Sequence, residues 1–158
     1  MHKMGEFARE YSIAMHQYPT EFIASLIIIA GEQNVLTTGI SDYGKDYTED
    51  LFFVPEIVVK PETAEQVAAI LKLCNDSGVA VYTRGAGTGL SGGSLPVKQG
   101  IVLATEKLNR ILSIDEANFQ ATTEPGVIND VFRMAVEEKG LYYPPDPASK
   151  GSCYLGGN

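Results

Sequence analysis

Thr83-Arg84-Gly85-Ala86-Gly87-Thr88-Gly89-Leu90-Ser91-Gly92-Gly93 decides how the rest of the chain is read. Five glycines fall within these eleven residues, directly after the short apolar run Val79 to Tyr82. Glycine tolerates positive φ and lets a ligand approach the main chain closely. Successive N–H groups in such a loop can converge on one concavity and form an anion nest. A phosphate cradle and a plain glycine-rich turn both satisfy this composition. Gly87-x-Gly89-x-x-Gly92 also fits the G-x-G-x-x-G pattern of dinucleotide folds, which requires a helix opening at its last glycine. Here Pro96 and Gly100 bracket too few residues for a helix, and Ile101 to Ala104 reads as a buried strand. The spacing predicts strand, loop, strand and rejects the ordinary Rossmann unit. Any phosphate bound here must be held by backbone amides between two strands.

Upstream, Asp42 to Asp50 is a polar connection, and Ile57-Val58-Val59 is a β-branched strand stopped at Pro61. Thr63-Ala64-Glu65-Gln66 reads as a capping box. It opens a helix with Val67, Ile70, Leu71 and Cys74 on one buried face and Gly78 as its stop. Further back, Thr20 is the expected N-cap of a helix over Phe22 to Ala30, ended by Gly31 and Asn34. Phe7, Tyr11 and Met15 recur every four residues, as in a short amphipathic helix.

Downstream, Thr105 to Arg110 is expected to form a single helical turn. Ile111 to Asp115 and Phe119 to Thr123 pair as a hairpin around Glu116-Ala117-Asn118. A second helix runs from Ile128 to Glu138, with Val131, Met134 and Ala135 at helical spacing and Gly140 as its stop. Pro144, Pro145 and Pro147 then fix an extended path toward Gly156-Gly157-Asn158. Two rigid glycine-rich segments imply a ligand between them. The stop at Gly-Gly-Asn, with no closing strand, predicts further chain beyond it.

Composition narrows the function classes. The 158 residues are 44% apolar, enough for one ordinary domain with a real core. Twelve basic against twenty acidic residues give a formal charge of −8, which argues against nucleic acid and anionic membranes as partners. Cys74 and Cys153 give neither a disulfide framework nor a metal spacing, and Cys74 is expected in the core. The two histidines, His2 and His16, lie in the N-terminal tail and receive no role, so no catalytic residue and no metal ligand is assigned. The nine apolar residues from Phe22 to Ala30 fall short of the about 20 needed to span a bilayer. With no visible secretory signal, a cytoplasmic location is expected.

Four motifs occur together: the loop above, Pro125-Gly126-Val127, Pro144-Pro145-Asp146-Pro147 and Ser152-Cys153-Tyr154-Leu155-Gly156-Gly157-Asn158. In this order and at about this spacing they resemble the FAD-linked oxidases with a p-cresol methylhydroxylase-type FAD-binding domain. The group most similar is that of the glycolate oxidase D subunit, D-lactate dehydrogenase and D-2-hydroxyglutarate dehydrogenase. Tyr43-Gly44-Lys45-Asp46 also resembles a segment of that group.

The resemblance implies an α+β fold of two α/β subdomains with the cofactor between them and the second subdomain truncated. A helical segment would occupy residues 1–49, the first FAD-binding subdomain 50–112, and the start of the second 113–158. Arg84, Gly85, Ala86, Gly87, Thr88 and Gly89 would wrap the FAD pyrophosphate through main-chain amides, with hydroxyls of Thr88 and Ser91 as further donors. Pro125 and Gly126 would lie beside the cofactor, where a Cβ would obstruct it. Asp146, Ser152, Gly156, Gly157 and Asn158 would form a second wall; otherwise Asp146 is a turn residue held by its prolines, and Ser152 a strand-start hydroxyl. The loop lacks the histidine that tethers flavin in some relatives, so FAD is expected to be non-covalent and Cys153 to be a packing residue. The implied activity is oxidation of a small D-2-hydroxy acid to the 2-keto acid, with an electron-transfer partner compatible, and this fragment alone inactive. A non-catalytic FAD-binding subunit and a module for another nucleotide remain the alternatives.

Overall fold

The structure, a computed structural model, describes residues 18–48, 50–98 and 100–158. The expected helix around Phe7, Tyr11 and Met15 and both histidines lie outside the described residues. Three parallel strands form the centre of the fold: β2 (Ile57–Val59), β3 (Val81–Arg84) and β4 (Ile101–Ala104). β4 inserts between β2 and β3, with Ile57 opposite Ile101 and Arg84 opposite Ala104. A two-residue strand, β1 (Val35–Leu36), adds antiparallel to the outer edge of β2.

Strand alternation sorts the side chains onto two faces. Ile57, Val59, Ile101 and Leu103 face α1 (Thr20–Ala30) and α2 (Ala64–Asp76), meeting Phe22, Leu26, Ile70 and Cys74 in one core. Val58, Val102 and Ala104 face the other way, against Ile40, Leu36 and Tyr43. Both faces are covered, which is why β2 and β4 read as continuous apolar runs rather than alternating ones. Residues 20–30 therefore share a core with the strands of segment 50–112.

The link from β2 to β3 is α2. Thr63 caps it by accepting from the Gln66 amide at 3.2 Å, and Gln66 reaches back one residue further than expected, to the Glu62 amide at 2.7 Å. Its buried side is Ile70 and Cys74, with Val67 and Leu73 half-buried; Leu71 points outward at 45% exposure, because Leu73 completes the stripe instead. Gly78 takes φ +65° just past the helix end. The link from β3 to β4 has no helix, as the spacing predicted.

After β4, Thr105 to Arg110 is a hydrogen-bonded turn, not a helical one: the Leu108 amide donates to the Thr105 carbonyl at 2.9 Å, and the chain then runs straight into β5. β5 (Ile111–Asp115) and β6 (Gln120–Thr123) form the expected hairpin, with a register irregularity between Ile111 and Ser113. α3 (Asn129–Glu137) comes next. Its buried side is Phe132 and Val136, while Val131 and Met134 are more than half exposed. The T-shaped packing of Phe132 on Tyr143, centroids 4.9 Å apart, sets that rotation. Thr20 is likewise the first helical residue of α1 and not its cap; Pro19 holds that position and its carbonyl receives the Phe22 amide.

α1 is fixed to the sheet through one side only. Leu26→Ala should therefore cost about 2–5 kcal/mol in chemical denaturation, whereas Ile28→Ala, at a position 84% exposed, should stay within about 0.5 kcal/mol.

Candidate functional site

The three parallel strands end at one edge of the sheet, and that edge carries the glycine-rich loop. The amides from Ala86 to Ser91 donate to no acceptor among the described residues. Both flanks are nonetheless tied down. The Tyr47 amide donates to the Gly89 carbonyl at 3.0 Å, and the Gly92 amide donates to the Thr48 hydroxyl at 2.8 Å. A held loop whose inner amides have no protein partner has the form of an anion nest. A Cβ on Gly89 or Gly93 would meet nothing within 4 Å, so these glycines border open space.

Gly87 has a different reason to be glycine. It takes φ +72°, and a Cβ there would collide with the Arg84 guanidinium. Arg84 itself is buried, and its side chain donates to the Asp42 carbonyl at 3.2 Å and the Ser94 hydroxyl at 3.3 Å. Alternation along β3 brings it to the Tyr82 face of the sheet, where its guanidinium lies 5.7 Å from the centre of the Tyr43 ring. Lys60, one residue past β2, approaches the same ring at 5.3 Å and pairs with Glu106 at 2.6 Å. Glu106 also accepts from the Tyr43 hydroxyl at 3.1 Å. Burial lowers the Arg84 pKa from the usual guanidinium value, opposed by the negative charges of Asp46 and Asp42. Of this cluster the sequence reading singles out only Arg84 and, as a likeness, Tyr43 and Asp46. Lys60 and Glu106 carry a readable signal: each lies two residues beyond an inward side chain, Val58 or Ala104.

The other predicted segments divide. Tyr154 packs against Gly85, where a Cβ would lie 3.6 Å from its ring. Residues 153–156 run along 125–129, with the Leu155 amide on the Val127 carbonyl at 2.9 Å and the Gly156 amide on the Pro125 carbonyl at 2.9 Å. The fold thus brings the glycine-rich loop, Pro125-Gly126 and the region of Gly156, Gly157 and Asn158 together. Gly126 answers to the protein and not to open space: a Cβ would collide with the Thr105 and Leu108 carbonyls, and its own amide donates to Leu108 at 2.6 Å. That corrects the expected reason for this glycine. Gly156 similarly abuts Pro125, 2.5 Å from an added Cβ.

Asp146 and Ser152 lie apart from the loop, against the start of α3. Asp146 is exposed and paired with Lys150 at 2.7 Å, and the Ser152 hydroxyl donates to the Ser149 carbonyl at 3.2 Å. Cys153 is buried, as expected of a packing residue. Among the described residues no cluster of His, Cys, Asp or Glu could hold a metal, and no helix is long and apolar enough to cross a membrane.

Known proteins match this arrangement. The family model described as an FAD binding domain matches residues 55–158. The glycolate oxidase subunit GlcD of Bacillus subtilis is 40% identical over 135 residues, 84% of this chain and 29% of its own length. A D-lactate dehydrogenase of Anaerostipes hadrus is 36% identical over 122 residues, 74% of this chain and 26% of its own. Among solved structures, p-cresol methylhydroxylase superposes with a TM-score of 0.67 at 27% identity, covering 77% of this chain and 25% of that one. The chain spans under a third of the length of these relatives.

The turn before Gly126 has its own acid sensitivity. Glu124 is buried and accepts from the Arg110 amide at 2.7 Å and from its guanidinium at 2.6 Å, and the hydrogen bond from the Arg110 side chain holds its carboxyl below the usual glutamate pKa. A lowered folded pKa contributes stability above the unfolded value, about 4.3, that is lost as pH falls through the folded one. Thermal melts should therefore drop in this window, and Glu124→Gln should flatten the drop.

Proposed function

The chain belongs to the FAD binding domain family, and on that premise we propose that it holds the diphosphate of FAD in an enzyme that oxidises a small D-2-hydroxy acid to the 2-keto acid. The observation that carries the cofactor half is the run of unspent amides from Ala86 to Ser91 at the end of the parallel strands. A diphosphate needs several donors around one concavity, and main-chain N–H groups supply them without a helix. The open space beside Gly89 and Gly93 is where a Cβ would intrude on such a ligand. These features fit the cofactor. They also explain how an acidic chain binds an anion: the donors are fixed dipoles, independent of net charge.

The substrate half rests on the relatives, whose names specify glycolate and D-lactate. Both are short 2-hydroxy carboxylates. Bound flavin supplies a two-electron acceptor for such an alcohol. Two electrons and two protons leave the C2–OH group, so an acceptor must reoxidise the cofactor, and an electron-transfer partner is part of this proposal. The residues of this chain bind and orient. Ala86 to Ser91 fix the diphosphate, the Tyr154 ring closes over Gly85, and Pro125 with Gly156 and Gly157 borders the same region. Asn158 is proposed to extend this border, while Asp146 and Ser152, whose side chains are engaged by Lys150 and Ser149, are not part of it. FAD is proposed to be held without a covalent bond, since the loop contains no histidine and Cys153 is buried.

Titration with FAD, followed by visible absorbance and flavin fluorescence, tests this reading. Wild type should bind one equivalent with altered vibronic structure. Gly89→Val, with nothing in the protein to clash with, should keep its thermal melt and lose flavin binding. Stoichiometric flavin in that variant would sink the assignment of the loop. Gly87→Val is the poorer probe, because it displaces Arg84 as well.

A further inference from the structure

We infer that the Arg84 side chain is a positioning residue for the nest: a buried cation lodged behind Gly87 that braces the loop and supplies positive charge to a bound diphosphate. This rests on the cofactor reading above and names what sets the strength of that site.

Four observations converge on it. Arg84 is 8% exposed, unusual for a charged group unless the charge has a use. It contacts Gly87 so closely that no side chain fits there. Its donors reach a carbonyl and a hydroxyl, Asp42 and Ser94, and no carboxylate among the described residues lies within ion-pair distance. Ser94 follows the loop and Arg84 precedes it, so one planar fork ties the two ends together. The guanidinium held this way lies 5.7 Å from the centre of the Tyr43 ring and against Gly87 of the loop.

The nearest negative groups fit the same account. Asp46 has one oxygen on the Thr48 amide at 2.8 Å, while its other oxygen is buried without a partner. It holds the amide of Thr48, whose hydroxyl in turn ties the Gly92 end of the loop, and its negative charge opposes the effect of burial on Arg84. Asp46 and a bound diphosphate would therefore compete for the same cation. Lys60 is already committed to Glu106.

FAD and ADP are titrated against wild type, Arg84→Gln, Arg84→Lys and Asp46→Asn, with far-UV circular dichroism as the check on folding. ADP carries the diphosphate without the flavin. Arg84→Gln should weaken both ligands by the same factor, about tenfold or more, as expected for loss of one charge-assisted interaction. Arg84→Lys keeps the charge and should lose less. Asp46→Asn, which can still accept from Thr48, should tighten both ligands severalfold and needs no tolerance of change at Arg84. Wild-type affinity in folded Arg84→Gln overturns the inference. So does Arg84→Lys as weak as Arg84→Gln, or Asp46→Asn no tighter than wild type. Failure of the parent reading looks different: wild type binding no FAD, or Gly89→Val binding it normally.

Discussion

Insertion of β4 between β2 and β3 is the constraint on which the molecule depends. Three parallel strands side by side require two crossovers, and only one of them, α2, has the length and apolar stripe of a helix. The other must return along the sheet as irregular chain from Gly85 to Gly100. Irregular chain leaves main-chain donors unpaired unless something else meets them. Here Tyr47 and Thr48 meet the Gly89 carbonyl and the Gly92 amide, and the amides from Ala86 to Ser91 are left without a partner among the described residues, so the topology itself produces the open row of donors.

The same arrangement explains the charge cluster beneath the loop. Parallel strands deliver their C-terminal ends to one edge, and two-residue alternation turns Lys60 and Arg84 to one face. Tyr43, delivered by the segment over that face, has both cations near its ring, while Glu106 binds Lys60 and the Tyr43 hydroxyl. Two positive charges are thus placed where the net charge of the chain would predict none.

Much of this is legible in the amino-acid order. Val67, Ile70 and Cys74 mark the right face of α2, Pro96 with Gly100 excludes a helix after β3, and the four ordered motifs point to the family. What escapes shares a physical cause: it depends on neighbours distant in sequence. Val131 and Met134 have the spacing of a buried stripe, yet α3 is turned by the Tyr143 ring, which sequence periodicity does not contain. Gly126 reads as a residue making room for a ligand, whereas the Thr105 and Leu108 carbonyls claim that space. A glycine states that a side chain is unwelcome without saying who excludes it.

That distinction separates the glycines into two kinds. At Gly126 and Gly156 the protein occupies the missing side chain's place, and at Gly89 and Gly93 nothing does. The amides around Gly89 have no partner among the described residues, so their protons are expected to exchange with solvent faster than those of the buried strands. Protection of these few amides is therefore conferred by whatever fills the nest, and the loop records its own occupancy in deuterium.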